Sequence, residues 1–412
     1  MTEVYVVGVG ITPFGKFADR SVKDLTRDAV SAALEDAGLR RDDIEAAYFA
    51  NAAQAAVEGQ YLVPGQIALA SAGFAGLPVT NVENACASAS TALNAACTFV
   101  ASGQGEVALA VGVDKMNSAD RARSFAVFDG GWDVHEAEQT IARLTALGRD
   151  LPLPPGAGGT DGQRSVFMDV YAALARHHMK HFGLSQEEIA IASAKNHTHS
   201  QHNPNAQYRR PMTAAEVLAD REICWPLTLA MCAPISDGGA AAIVCSAAKA
   251  RALGLDRAVR VAASVLRSGS GRGPEEFDRH ITRLAAHTAY DKAGLGPEDM
   301  DVAEVHDASA FAEILQLESL GFCGIGEGGR LTAEGATAIG GRIPVNPSGG
   351  LECRGHPIGA TGLAQVHELV TQLRGEAGPR QVEGARTAIA ENGGGFAGYE
   401  EAAACITILQ RG

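Results

Sequence analysis

Leu25-Thr26-Arg27-Asp28-Ala29-Val30-Ser31-Ala32-Ala33-Leu34-Glu35-Asp36-Ala37-Gly38-Leu39 decides the fold, because a close counterpart returns as Ile281-Thr282-Arg283-Leu284-Ala285-Ala286-His287-Thr288-Ala289-Tyr290-Asp291-Lys292-Ala293-Gly294-Leu295. Each copy spaces its apolar residues along one helical face and stops at Ala-Gly-Leu, where glycine serves as a left-handed cap. An acidic turn follows in both, then a strand: Ile44 to Phe49 in the first and Val302 to Val305 in the second. Alternating strands precede both helices, Val4 to Val9 and Val259 to Val265. If the second copy carries an insertion, Ser90-Thr91-Ala92-Leu93 falls against Ala360-Thr361-Gly362-Leu363. Val107 to Gly112 then matches Thr387 to Asn392, and Ala240 to Cys245 matches Ala402 to Thr407. The expectation is an α/β chain built of two βαβαβαββ units, a duplication rather than a solenoid. Residues 1–115 with 235–255 make the first half and 256–412 the second. Residues 116–234 are an insertion too long for a passive loop, and one expected to cover a site.

With 412 residues, 46% of them hydrophobic and 20% charged, the chain can bury a large core. A formal net charge of −14 without a run of Lys or Arg argues against nucleic acid and anionic membranes as partners. No apolar run is long enough to cross a bilayer. Eight cysteines lack C-x-x-C pairs, and Met1-Thr2-Glu3 leads straight into the first strand, so free thiols in a reducing cytoplasm are expected.

One cysteine stands apart. Cys86, in Val82-Glu83-Asn84-Ala85-Cys86-Ala87-Ser88, sits where an extended run gives way to a helix of small residues. The N–H groups and dipole of a first helical turn favour thiolate and can hold an oxyanion. That helix has no charged face and should be buried all round. Its twin carries Gly359 and Gly362, which would let two backbones approach, so a central helix pair between two sheets is expected. The alignment of the copies sets Cys86 opposite His356, at a second helix start. Val305-His306-Asp307-Ala308 puts another imidazole at a strand end, and Glu391-Asn392-Gly393-Gly394-Gly395 is a turn free to aim N–H groups at a ligand. A thiol, two imidazoles and such a turn suffice for acyl transfer.

These motifs resemble the thiolase superfamily over essentially the whole chain, most closely the thiolases related to sterol-carrier-protein fusion enzymes. The match rests on Asn84-Ala85-Cys86-Ala87-Ser88, Ser236-Asp237-Gly238-Gly239-Ala240-Ala241, His306-Asp307 and Gly355-His356-Pro357-Ile358-Gly359-Ala360-Thr361-Gly362. The resemblance implies a five-layered αβαβα fold, a homodimer or dimer of dimers, and coenzyme A thioesters as substrates with no permanently bound cofactor. It casts Cys86 as the nucleophile and His356 as its proton acceptor. His306 would serve the thioester oxygen of a second substrate, with an oxyanion hole from the N–H groups of Cys86 and Gly393 or Gly394. A decarboxylating ketoacyl synthase is the alternative, since Cys86, His306 and His356 also resemble its Cys-His-His set. Further alternatives are a thiolase-fold aldolase and a scaffold subunit with an OB-fold or zinc-ribbon partner.

The chain departs from the family in one respect. Thiolases with two reactive cysteines carry the second in Cys-x-Gly-Gly-Gly, where this chain has Glu391. The sterol-carrier type places it two residues after the histidine, where this chain has Ala308. Cys353 and Glu391 are the substitutes considered for the acid/base at the α-carbon. Arg121, Arg123, Arg143, Arg149, Lys180, Lys195, Arg209 and Arg210 in the insertion are candidates for the phosphates of coenzyme A. His177, His178, His181, His197, His199 and His202 lack companion ligands in a compact motif, so no metal is expected. Gly8-Val9-Gly10 lacks the third glycine of a dinucleotide loop.

Overall fold

The computed structural model describes residues 2–155, 157, 165–254 and 256–412; Met1, Leu255 and positions 156 and 158–164 of the insertion lie outside the described residues. In the first half, strands β1 (Val4–Ile11), β2 (Ala46–Ala50), β3 (Val79–Val82) and β4 (Val107–Asp114) alternate with helices. The insertion holds five helices among the described residues and the small strands β5 (Glu222–Cys224) and β6 (Leu227–Thr228). Strand β7 (Gly238–Ser246) closes the first half, and β8 (Val259–Ser268), β9 (Val302–Glu304), β10 (Thr387–Gly394) and β11 (Ala403–Arg411) form the second.

The strand order is β3-β2-β4-β7-β1-β8-β11-β10-β9, one nine-stranded sheet in which the two halves meet edge to edge. The junction is short, with Tyr5 opposite Arg260 and Val6 opposite Val259. The order reads as a mirrored pair about that junction, as a duplication requires. One element falls short of the expected pattern: the third strand of the second copy is reduced to a single bridge between Val345 and Ala303.

Helix Val22–Ala37 begins on a capping box between Ser21 and Asp24 and ends at Gly38 with φ 64°, which realises the Ala-Gly-Leu stop. It lies so close on β1 that a Cβ at Gly10 would sit 2.2 Å from the Ala29 carbonyl oxygen. The glycine pair of β1 therefore serves helix-on-sheet packing. Val22–Ala37 and Ile281–Ala293 cover the outer faces of the two halves in separate cores. The inner core joins Ala89, Ala92, Leu93 and Ala96 of helix Ser88–Ala101 to Leu363, Val366 and Leu369 of helix Thr361–Arg374, with strands of both halves around them. This is the αβαβα layering, with the central helix pair as its middle layer; in place of the two sheets expected, the two β layers are the halves of one continuous sheet, joined by the β1–β8 pairing. Among the described residues no helix is long and apolar enough to cross a membrane.

Gly362 fixes the crossing of the central helices, since a Cβ there would lie 1.9 Å from Ser90 Oγ and 2.6 Å from Asn392 Oδ1. Gly362→Ala is expected to cost about 1–3 kcal/mol through overpacking. A calorimetric scan should show a lowered unfolding midpoint, and an unchanged midpoint would mean that the helices do not touch there.

Candidate active site

Cys86 lies two residues ahead of its helix, which begins at Ser88, and His356 lies in a turn ahead of a 3-10 segment, Ile358–Ala360. Both were expected to start helices; each instead occupies the tight turn leading in. Ala85 adopts φ 48°, a left-handed conformation that costs a non-glycine residue energy and that the turn holds in place. Ser88 Oγ donates to the Ala85 carbonyl and accepts from Asn84 N–H at 2.8 Å, while Ala87 N–H donates to the Asn84 carbonyl.

The result is a compact set. His356 Nε2 is 3.3 Å from Cys86 Sγ, and the rings of His306 and His356 stand edge to face with centroids 5.1 Å apart. The ligating atoms of Cys86, His306 and His356 all lie within 4.8 Å of one another, and among the described residues this is the one such group of three or more His, Cys, Asp or Glu. The expectation that the duplication brings these residues together is met.

The second nitrogen of each ring assigns its role. Thr361 Oγ1 donates to the Pro357 carbonyl and so offers a lone pair to His356 Nδ1, 2.6 Å away. His356 then carries its proton on Nδ1 and turns a bare Nε2 to the thiol. Around His306 the pattern is reversed: Ser90 Oγ donates to Asn392 Oδ1 at 2.7 Å, and Asn392 Nδ2 donates to His306 Nδ1 at 3.0 Å. His306 therefore carries its proton on Nε2, as a donor. Burial depresses both imidazoles, His306 to about 4 and His356 well below the usual value, so both rings are neutral.

The thiol is neutral as well. Burial, then the Asp114 and Glu83 carboxylates, raise Cys86 to about 12 against the opposing pull of two backbone N–H groups, its own and that of Gly395. The expected bias of a helix start toward thiolate is outweighed first by burial of the sulfur and then by the two acids it faces. Asp114 ends β4 and accepts from Ala53 N–H at 2.9 Å and Gly359 N–H at 2.5 Å, tying the first half to the His356 segment.

A second backbone N–H reaches the sulfur from Gly395, the residue that follows Gly393 and Gly394. Those two continue the ladder with β11, opposite Ala404 and Ala403, and line the cavity. Cys353 is fully buried on the short helix Gly350–Arg354 and does not line the cavity, so it is not placed to serve as the acid/base at the α-carbon. Glu391 is behind the site, where its carboxylate accepts the His306 backbone N–H at 2.8 Å; burial and Glu401 raise it to about 8. Ala308 lines the cavity where the second thiol of related enzymes would be.

The cavity measures about 910 Å³ and reaches from the three reactive residues into the insertion. Of the basic residues proposed for phosphate, Arg121 lines it. Lys180 pairs with Asp150, Arg210 with Glu216, and Lys195 is buried against Glu313. Lys16 and Arg221, both exposed, line it and were missed, since neither lies in a basic cluster. Cys232 and Glu401 line it too; His280 and Gln316 hold the Glu401 carboxylate, and against burial the His280 contact keeps it at about 2. The insertion histidines are engaged separately: His178 with Glu318, His177 with the Pro274 carbonyl, His197 with the Ala230 carbonyl, and His199 with the Asn346 carbonyl.

A layered duplication with a cysteine and two histidines at the meeting of its halves defines the thiolase class. The thiolase N-terminal domain family matches residues 4–222 and the thiolase C-terminal domain-like family matches residues 274–411. The chain belongs to the thiolase family and is an acyltransferase of that type. It is 40% identical over 403 residues to an acetyl-CoA acetyltransferase of Methanothermobacter thermautotrophicus, covering 97% of this chain and 98% of that protein. It is 36% identical over 404 residues to sterol carrier protein 2 of Homo sapiens, covering 95% of this chain and 70% of that protein. Among solved structures, the Ltp2-ChsH2(DUF35) aldolase superposes with a TM-score of 0.75 at 24% identity, over 98% of this chain and 97% of that one, and so shares the fold.

Because the resting thiol is protonated, alkylation of Cys86 by iodoacetamide should climb ~tenfold per pH unit from pH 7 to 10. A plateau below pH 7 would reveal a thiolate–imidazolium pair instead. Asn392→Asp should move the His306 proton to Nδ1, visible in the ¹⁵N shifts of labelled imidazole, and lower turnover by about 10²-fold or more. Unchanged ring shifts would refute the assigned tautomer.

Proposed function

We propose that the protein transfers acyl groups of coenzyme A thioesters through a covalent S-acyl intermediate on Cys86. The observation that carries this reading is the 3.3 Å approach of a bare imidazole nitrogen to the thiol. His356 Nε2 takes the thiol proton as Sγ attacks the thioester carbonyl. The oxyanion is held by the N–H groups of Cys86 and Gly395. The C–S bond to coenzyme A breaks, and the departing thiolate takes the proton back from His356. In the second half-reaction, His356 Nε2, bare again, takes the proton from the acceptor's α-carbon while the Nε2–H of His306 donates to the acceptor's thioester oxygen, where negative charge gathers; the α-carbon attacks the acyl carbonyl, the C–S bond to Cys86 breaks, and Sγ recovers its proton from His356. Carbon–carbon bond formation and, in reverse, thiolytic cleavage of a 3-ketoacyl-CoA both use these groups. Arg121, Lys16 and Arg221 at the cavity are suited to the phosphates.

A specific observation favours decarboxylative condensation as the second reading: the position for a second thiol is Ala308, so loss of CO₂ would supply the carbanion without a base. Self-association is part of the proposal. Strand β3 is a sheet edge, and the exposed Tyr61, Leu62, Val63 and Ile67 lie on the neighbouring segment. A companion protein is supported by the structural neighbour, whose name couples it with a DUF35 protein.

Intact-mass measurement after incubation with acyl-CoA should show one acyl adduct, mapped to Cys86 and absent from Cys86→Ala. No adduct across a broad panel of acyl-CoAs would overturn the covalent route. Acetyl-CoA and malonyl-CoA as second substrates then separate the two condensing readings by which of them yields product.

A further inference from the structure

Aromatic residues make up 5% of this chain, yet they are gathered at the cavity. Phe125, Phe128, Phe167 and Tyr171, all from insertion helices, line it. Trp132 stacks on Phe167 with centroids 4.8 Å apart and planes 14° apart, and Phe167 also meets Phe128 at 5.9 Å. Phe396 ties this wall to the chemistry. It contacts Phe167 at 5.4 Å and Tyr171 edge-on at 5.8 Å, and it follows Gly395, whose N–H meets the Cys86 sulfur. The wall is supported from behind: Phe396 N–H donates to the Gly131 carbonyl at 2.7 Å, and a Cβ on Gly131 would collide with the Phe167 ring at 2.3 Å.

Tyr171 adds a polar requirement. Its side chain is 5% exposed and lines the cavity, and its hydroxyl has no hydrogen-bond partner among the described residues. Burial, then the neighbouring Glu401, raises its pKa well above the usual value, so it is a neutral donor. An alkyl chain filling the wall would leave that hydroxyl buried and unpaired, so its desolvation would go uncompensated. An aromatic occupant gains ring–ring contacts beyond its buried area, a gain an alkyl chain does not have.

We infer that the acyl group this site selects ends in an aromatic ring bearing an oxygen substituent, with the ring against Phe128 and Phe167 and the oxygen on the Tyr171 hydroxyl. The inference rests on the acyl-CoA reading above and narrows its substrate class.

The test is calorimetric binding to Cys86→Ala of three thioesters, 3-(4-hydroxyphenyl)propanoyl-CoA, 3-phenylpropanoyl-CoA and hexanoyl-CoA, with the acylation rate of the wild type measured alongside. The hydroxyphenyl thioester should bind at least tenfold more tightly than hexanoyl-CoA, with the phenyl thioester between them. In Tyr171→Phe the two aryl thioesters should become equal. Equal or tighter binding of hexanoyl-CoA overturns the inference. If Tyr171→Phe keeps the difference between the aryl thioesters, the oxygen contact is overturned. Acylation of the wild type without aryl preference leaves the acyltransferase reading standing and removes this one; absence of both adduct and binding removes both.

Discussion

The site depends on a steric constraint: the two central helices must cross where neither has a side chain to spare. At Gly362 the backbone of the second-half helix comes against Ser90, and at Gly359 the preceding turn reaches the Asp114 carboxylate of the first half. Those two approaches set the spacing of everything near them. Ser90 is then placed to orient Asn392, Asn392 to orient His306, and the turn after Gly355 to present His356 to Cys86. Interiors are packed closely enough that a misplacement of even one methylene is felt. A site assembled from two halves of one chain therefore needs its tightest tolerance between those halves, where the glycines are.

Held in place, the reactive groups are kept uncharged. A thiol raised to about 12 and imidazoles depressed by burial form no ion pair. The two rings lie 5.1 Å apart, yet their outer partners give them opposite tautomers, a hydroxyl lone pair for His356 and an amide N–H for His306. One ring takes a proton and its neighbour offers one. Charge appears when a carbonyl carbon arrives to accept the sulfur and its oxygen meets preoriented N–H groups, so the stabilisation is directed at the transition state rather than at the resting enzyme.

How far the sequence is legible follows from the range of the interactions involved. The duplicated halves can be read because helix periodicity, the Ala-Gly-Leu cap and strand alternation are local, and both copies carry them. Cys86, His306 and His356 can be read because equivalent positions in a duplication converge on one axis. The missed features depend on contacts between distant segments. That a Gly395 N–H reaches the sulfur depends on where the β10 ladder ends against β11. Cys353 looks accessible beside polar neighbours, but Glu352 and Arg354 are themselves buried, and Arg354 is paired with Glu304 at 2.8 Å. Asn392, Cys232 and Tyr171 carry no local signal, since each matters through the cavity it faces or the ring it orients.

The division of labour between scaffold and insertion has a physical basis. The residues that handle protons and the oxyanion come from the two halves, where strand ladders and the helix crossing leave little room for movement. The rings that meet the acyl group come mainly from the Arg121–Asp129 and Val166–Phe182 helices, which pack on the halves through side chains rather than through the sheet. A phenylalanine on such a helix can be exchanged for a smaller residue at the cost of a local cavity, while Gly362 or Asn392 cannot change without moving His306. Chemistry and selectivity can therefore vary independently in this architecture. The aromatic wall is then a property of this chain's insertion, superimposed on a reaction centre that the duplicated halves would build with or without it.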